Sequence, residues 1–151
     1  MTRIDFAFGA ADRLRTACQV ARKRYLAGQR LVVYCRDGAR LSAFDRMLWA
    51  FDDTAFVPHV LASDPLAADT PVLLTAADPQ DAMALTPAGQ ALPWLLNLDD
   101  NCPPSYANFQ RLMEVVSDDP ADRQSARQRW RAYQAEGHDL HSHALKSQAD
   151  T

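Results

Sequence analysis

Three short apolar runs constrain the fold of this chain more than any other feature of its sequence. They span residues 31–35, 72–75 and 94–98 and read LVVYC, VLLT and WLLNL. Runs without polar alternation are typical of strands that are covered on both faces, as in parallel sheets. Segments with helical spacing of apolar residues separate most of the strands. This alternation favours an α/β domain with a mainly parallel sheet.

Further strands complete the predicted sheet. Ile4, Phe6 and Phe8 alternate with smaller or polar residues and predict a first strand, while 56–59 predicts a short extended piece. With the three apolar runs, the sheet has about five strands. A chain of 151 residues is long enough for one domain with a buried core. We predict a single three-layer α/β/α domain, Rossmann-like, over residues 1–140, followed by a frayed tail over 141–151.

Apolar residues at helical spacing predict the helices. One helix follows the first strand and ends near Gly28, and the next has a stripe of Leu41, Phe44, Leu48 and Phe51. Segment 78–93 is rich in proline and is predicted to be a loop with a short helix. Ser105 is expected to cap a further helix, whose apolar face consists of Tyr106, Phe109, Met113 and Val116.

Charge and cysteine usage exclude several classes of protein. The formal net charge is −3 and the pI is about 5.7, whereas a dedicated duplex-DNA binder is usually basic. The three cysteines are widely spaced and form no CxxC motif, so neither a zinc site nor a disulfide framework is predicted. Cys18 and Cys35 fall on apolar patterns and are expected in the core. The N-terminus shows no signal or membrane-spanning run, so we expect a soluble cytoplasmic protein without a membrane partner.

The sequence offers no motif for a cofactor or for catalysis. The turn over 8–12 contains one glycine, and the turn over 36–39 has neither a glycine-rich loop nor a P-loop lysine. The chain also lacks GxSxG and HExxH motifs. We therefore predict no cofactor and no catalytic residues. An enzyme on the α/β sheet remains a hypothesis that would need a convergent pocket of acids or histidines at the strand ends.

The histidines are open to two interpretations. His138, His141 and His143 lie close together and could build a metal site, but a solvated tail is the favoured interpretation, so no metal is predicted. His59 follows a proline, and the favoured interpretation is a hydrogen-bonded loop histidine.

An arginine-rich helix is the strongest candidate for a binding surface. Asp119 can cap it, Pro120 fits its first turn and Gly137 can end it. Arg123, Arg127 and Arg131 lie along one stripe, which has no acidic residue, and Trp130 projects beside that stripe. Guanidinium groups around an aromatic side chain suit a ligand that is both acidic and apolar. The alternative is an ordinary solvated face with Trp130 in the core.

Trp49 is a second candidate for a contact. By helix geometry it points roughly 100° away from Leu48 and the apolar stripe. If exposed beside Phe56, it could serve in protein recognition; if the following loop folds back, that loop covers it. The pattern leaves both outcomes open.

Together, these motifs resemble the chi subunit family of bacterial DNA polymerase III. The matching segments are 48–50 (LWA), 56–59 (FVPH) and 126–133 (ARQRWRAY), with further similarity in the first two strands. The order and spacing of the motifs are specific as a set. This sequence departs from some family members in the connection over 117–122, which is shorter and acidic here. An apolar wall residue that some relatives supply in this connection is missing or replaced. Trp130 and Arg131 stand where tyrosine and lysine are common.

The resemblance implies a non-catalytic adaptor of the replicative polymerase. Chi proteins bind the acidic, apolar C-terminal tail of single-stranded DNA-binding protein, and they bind the psi subunit, as a 1:1 heterodimer, which tethers them to the clamp loader. The tail-binding residues carry over to Arg123, Arg127, Trp130, Arg131 and Tyr133, and the psi-binding residues to Trp49 and Phe56. Nucleic acid is then contacted only indirectly. The alternative is a protein that binds single-stranded nucleic acid directly through the arginine-rich helix.

Overall fold

The apolar runs form the centre of a parallel sheet. A computed structural model describes residues 1–51 and 56–145, and within these residues the strands number seven. They are β1 (Arg3–Ala10), β2 (Leu31–Tyr34), β3 (His59–Leu61), β4 (Val72–Thr75), β5 (Trp94–Asn97), β6 (Arg111–Ser117) and β7 (Asp139–Ala144). All pairs are parallel, in the order β3-β4-β2-β5-β6-β1-β7. The predicted parallel α/β class is confirmed, with more strands than the expected five.

Helices cover both faces of this sheet. They are α1 (Arg13–Leu26), α2 (Gly38–Trp49), α3 (Pro79–Met83) and α4 (Pro120–Ala135), with 3-10 turns at Ala67–Asp69 and Tyr106–Asn108. On the first face, Cys18 of α1 and Phe44 of α2 pack with Val33 of the sheet. On the second face, Tyr133 of α4 packs with Leu112 of β6. The strands are apolar on both sides because both sides are covered, as the three-layer prediction requires.

Local signals set the ends of the helices. The Asp119 carboxylate accepts a hydrogen bond from the backbone N–H of Ala121 at 2.9 Å, and Pro120 occupies the first helical position. Gly28 and Gly137 follow α1 and α4 with φ angles of +78° and +79°, a conformation that costs glycine little. The predicted capping and stop signals of α4 are confirmed.

The helix predicted after Ser105 is wrong. Ser105 has a φ of +56° and makes no capping hydrogen bond, and a single 3-10 turn follows it. Residues 111–117 form β6, a strand that lies between β5 and β1. Met113 and Val116 do show a helical spacing, but Leu112 and Val115 are buried as well, so the segment is covered on both faces. A central strand and a buried helix can share such a pattern over a short run.

The predicted tail also needs correction. Residues 141–144 are ordered in β7, which pairs with β1 in parallel register from Arg3–Asp139 to Phe8–Ala144. Residues 146–151 of the predicted tail lie outside the described residues. An edge strand with one open side can consist mainly of polar residues, so β7 lacks the apolar periodicity by which strands are recognised.

The remaining expectations concern shorter segments. The predicted short helix within 78–93 is α3, and the extended piece over 56–59 leads into β3, which begins at His59. Cys18 and Cys35 are free and buried, as predicted. Among the described residues, no helix has the length and apolar character needed to cross a lipid bilayer.

Candidate peptide-binding site

A pocket of about 330 Å³ lies between α4 and the carboxyl ends of the neighbouring strands. Helix spacing brings Arg123, Arg127 and Trp130 of α4 to it, because residues three or four apart share one side of a helix. A short connection between β6 and α4 holds the first turn of the helix beside the strand end. The other walls come from β1, β6, the connection between β6 and α4, β7, and one further residue of α4. They consist of Phe6, Phe8, Gly9, Val116, Ser117, Asp118, Ala126 and Ser142.

Aromatic side chains form much of the apolar surface of this pocket. The ring of Trp130 packs edge-on against that of Phe6, with 5.1 Å between the ring centroids. Phe6 and Val116 are buried, whereas Phe8 keeps 44 % of its surface exposed. Trp130 is half-buried, so it packs on the second-face core and still borders the opening. The pocket therefore offers apolar surface to a ligand without exposing the core.

Two guanidinium groups stand at the pocket without an acidic partner. Arg123 and Arg127 are exposed, and the described residues provide no hydrogen bond or ion pair to either side chain. The carboxylates of Asp119 and Asp122 are occupied by backbone N–H groups, at the start of α4 and at the end of β6 respectively. Asp118 lines the same pocket and is its one nearby acid among the described lining residues. The pocket thus combines free cationic donors with an apolar wall.

The other two residues predicted for the same ligand lie outside the pocket. Arg131 is exposed on α4 but does not line it. Tyr133 is fully buried, and its hydroxyl donates a hydrogen bond of 2.6 Å to Oε2 of Glu114. Burial and the adjacent Glu114 carboxylate raise the pKa of Tyr133 far above its usual range, so the hydroxyl remains a donor. The prediction of Tyr133 as a contact residue is corrected, because this side chain has no surface to offer a ligand.

Arg129 is a residue whose role the sequence analysis missed. It is 2 % exposed, and its Nε donates to both carboxylate oxygens of Glu114 at 3.2 and 3.1 Å. Its Nη1 donates to the backbone oxygen of Asp100 and to Ser125 Oγ, each at 3.0 Å. Burial disfavours the charge, but the Glu114 carboxylate outweighs it and raises the pKa of Arg129. This buried pair fixes α4 to β6.

The spacing along α4 contains the signal for that role. Arg129 lies two residues after Arg127, which is about 200° around the helix, and four residues before Tyr133 on the buried side. Its partner Glu114 could not be recognised, because β6 was predicted as a helix. Phe6 and Phe8 were likewise missed as pocket residues, since nothing in the sequence shows that β1 lies beside α4.

Trp49 and Phe56 form a separate aromatic surface at the end of α2. Their ring centroids are 5.0 Å apart, and their exposed fractions are 48 % and 62 %. The Trp49 ring also packs on buried His59, with 4.2 Å between centroids. His59 is held by Val57 O, 2.7 Å from its Nδ1, and by Asp45 Oδ1, 3.1 Å from its Nε2. Of the two outcomes left open for Trp49, the exposed one is observed.

The two candidate surfaces lie at opposite edges of the sheet. His59 belongs to β3, the first strand in the sheet order, and Ser142 of the pocket belongs to β7, the last. Trp49 adjoins the core of the first face, whereas Trp130 packs on the second. Occupancy of one surface therefore leaves the other accessible.

The three clustered histidines are structural parts of β7 and the turn before it. His138 Nδ1 accepts a hydrogen bond of 3.2 Å from the backbone N–H of Thr2. Nε2 of His141 lies 3.0 Å from Asp139, and Nε2 of His143 lies 2.9 Å from Asp5. The part of the chain that the structure describes contains no group of histidines, cysteines and acids that could hold a metal ion. The solvated-tail interpretation is wrong for these residues, because β7 orders them. The favoured interpretation of His59 as hydrogen-bonded is confirmed, although it begins a strand.

Comparison with known proteins identifies the family. The model of the family described as DNA polymerase III chi subunit, HolC, matches residues 1–141. The chain is 37 % identical over 149 residues to the DNA polymerase III subunit chi of Pseudomonas aeruginosa, an alignment that covers 96 % of this chain and 98 % of the relative. It is 27 % identical over 129 residues to the same subunit of Escherichia coli K12, covering 85 % and 83 % respectively.

The corresponding subunit of Haemophilus influenzae is 25 % identical over 124 residues, which cover 82 % of this chain and 81 % of the relative. These matches cover more than four fifths of each protein, and they name the same family that the three motifs of the sequence indicate. The chain therefore belongs to the DNA polymerase III chi subunit family, and it is an accessory subunit that takes part in DNA replication.

Proposed function

We propose that this chain is a non-catalytic, cytoplasmic adaptor that binds the acidic C-terminal tail of single-stranded DNA-binding protein in the pocket beside α4. One observation carries the proposal: the same pocket contains the guanidinium groups of Arg123 and Arg127, which have no partner among the described residues, and an apolar wall that includes Phe6 and Trp130. A tail of this kind ends in acidic residues, a proline, a phenylalanine and a free carboxylate. Its phenyl ring packs near Trp130 and its carboxylates pair with the guanidinium groups.

The expected affinity follows from the two kinds of contact. Burial of one phenyl side chain contributes about 1.5–3 kcal/mol, and each exposed ion pair contributes about 0–1 kcal/mol. Ordering the peptide opposes these gains. Binding of a single tail is therefore weak, roughly micromolar, and weakens further with salt because the ion pairs are screened. Many tails on one nucleoprotein filament raise the effective affinity.

The second half of the adaptor function uses the aromatic surface of Trp49 and Phe56. Large aromatic side chains that are exposed in the free protein are the usual anchors of a protein interface. In our proposal this surface binds psi as a 1:1 heterodimer and so connects the chain to the clamp loader. Its position at the far edge of the sheet from the tail-binding pocket suits a protein that bridges two partners.

Titration calorimetry with a synthetic tail peptide tests the pocket. We expect Trp130→Ala to weaken binding about thirtyfold, which corresponds to the loss of about 2 kcal/mol for a hot-spot aromatic residue. Arg127→Ala removes one ion pair and weakens binding up to about fivefold. Arg131→Ala removes the same charge outside the pocket and has a smaller effect.

A matched control separates the pocket from overall charge. Arg36→Ala removes one exposed positive charge just after β2, outside the lining of the pocket, and leaves the affinity unchanged. Thermal melting of each variant checks that the fold survives. Wild-type affinity in both Arg127→Ala and Trp130→Ala would exclude this pocket as the tail-binding site.

A further inference from the structure

A second cleft, of about 400 Å³, lies at the opposite end of the sheet from the pocket beside α4. Arg3, Trp94 and Arg111 are the first residues of β1, β5 and β6, and parallel strands gather their first residues at one end of a sheet. Arg3 and Arg111 are paired across the sheet. The cleft, called here the amino-end cleft, is lined by Met1, Arg3, Trp94, Gln110, Arg111 and Asp139.

Trp94 orients two guanidinium groups at this cleft. The Cζ atom of Arg111 lies 4.4 Å from the centroid of the Trp94 ring, and the Cζ atom of Arg24, from α1, lies 5.5 Å from it. Cation–π attraction holds a guanidinium group at the face of an aromatic ring. The two arginines are thus ordered before any ligand arrives.

Positive charge exceeds negative charge at the cleft. The buried Asp5 carboxylate accepts hydrogen bonds from Arg3 and from Arg111, at 3.2 and 2.7 Å respectively. Asp139 is the second acid of the cleft, and its Oδ2 lies 3.0 Å from Nε2 of His141. The guanidinium of Arg24 has neither a hydrogen bond nor an ion pair among the described residues. Three guanidinium groups therefore face two carboxylates, those of Asp5 and Asp139.

The basic surface continues from the cleft onto the last turn of α1, which contains Lys23 and Arg24 and no acidic residue. Arg13, at the start of the same helix, lies at the other end of the sheet and is ion-paired with Glu114 and Asp122. Burial and the neighbouring guanidinium of Arg111 lower the pKa of Arg24, and the Asp5 carboxylate offsets this only in part. A row of cations matches a chain of regularly spaced phosphates better than it matches a single carboxylate.

We propose that the amino-end cleft binds the phosphate backbone of single-stranded DNA, with Arg3, Arg24 and Arg111 each contacting a phosphate. A single strand is favoured over a duplex because its backbone can bend into a cleft beside a helix. The family of the chain is that of a DNA polymerase subunit, so DNA is a ligand to be expected in its surroundings. The contact is direct, in addition to the indirect contact expected from the sequence, and it is independent of the tail-binding proposal.

Salt titration of a fluorescein-labelled oligothymidylate, followed by anisotropy, tests the cleft. Three phosphate contacts on a single strand give a slope of about −2 for log K against log salt. Arg24→Ala reduces the slope by about 0.7 and weakens binding up to about fivefold at low salt. Arg36→Ala removes the same charge at the other end of the sheet and leaves both quantities close to wild type.

Indole N–H signals in NMR spectra provide a second measurement that does not depend on affinity. The oligonucleotide should shift the signal of Trp94 and leave that of Trp130 unchanged, while the tail peptide should do the reverse. Arg24→Gln provides a second variant that removes the charge but keeps an unbranched side chain with a polar end. The proposal is overturned by a slope near zero, by equal effects of Arg24→Ala and Arg36→Ala, or by displacement of the DNA by an equally charged polyglutamate peptide.

Discussion

Arg127 and Arg129 are close neighbours in α4, yet only Arg127 is free to meet a ligand. Arg127 is exposed at the pocket, whereas Arg129 is buried in a hydrogen-bonded pair with Glu114. The two side chains point about 200° apart around the helix. Asp5 has a similar structural role, because its buried carboxylate is hydrogen-bonded to Arg3, Arg111 and His143 at once. The environment of a charged side chain, rather than its residue type, therefore decides whether it is available to a ligand or stabilises the fold.

Asp5→Asn tests this supporting role through its pH dependence. Burial works against the charge of Asp5, but hydrogen bonds from His143, Arg3 and Arg111 lower its pKa on balance. A lowered pKa in the folded state stabilises the protein above the unfolded value of about 3.9, and this stabilisation is lost as the pH falls through the folded pKa. Urea unfolding at pH 7 should therefore show Asp5→Asn to be less stable by about 2 kcal/mol. The difference should shrink at about pH 3, and a difference that does not change with pH would contradict the assignment.

At the scale of elements, β6 and β7 show where pattern reasoning succeeds and where it fails. Short apolar runs covered on both faces are correctly recognised as β2, β4 and β5. β6 is also rich in apolar residues, but it differs from these runs in containing Arg111 and Glu114. The partners of these two side chains, Asp5 and Arg129, are distant in the sequence. β7 is polar because it forms an edge, and it owes its order to hydrogen bonds with β1. Such pairing depends on long-range contacts that no local window contains.

Hydrogen exchange can verify β7. Backbone N–H groups of Asp139 and Leu145 donate to Thr2 and Phe8 of the β1 segment, at 3.2 and 2.9 Å. Because alternate residues of a strand face the same neighbour, the amides of His141 and His143 should also be protected. Those of Leu140 and Ser142, which face outward, should exchange fast. Uniformly fast exchange over 139–144 would indicate a frayed tail instead of a strand.

At the scale of the whole molecule, the parallel sheet separates the binding surfaces. The tail-binding pocket lies near β7, the aromatic surface of Trp49 and Phe56 lies near β3, and the amino-end cleft lies at the start of β5 and β6. The sheet between them is closely packed on both faces. Mutations at well-separated sites without shared partners are usually additive.

Independent binding is therefore expected for the two proposed protein partners. Trp49→Ala should weaken psi binding at least about fivefold, since the loss of an anchoring aromatic residue costs more than about 1 kcal/mol. The same variant should leave affinity for the tail peptide within about twofold. Arg127→Ala should weaken binding of the tail peptide and leave psi affinity unchanged. The double variant should lose affinity for each partner to the same extent as the corresponding single variant. Calorimetric titration of each variant with each partner measures this. Loss of tail affinity in Trp49→Ala would reveal coupling across the sheet.

The sequence by itself determined the α/β class, the limits of α4 and the side of that helix on which Arg123, Arg127 and Trp130 lie. These features depend on local periodicity and capping, which act over a few residues. Only the tertiary structure decided that Phe6 and Phe8 complete the pocket, that Tyr133 is buried under it, and that β6 and β7 are strands. Those outcomes depend on which distant segments pack together. Such contacts join residues that are far apart in the sequence, so no local pattern of residues predicts them.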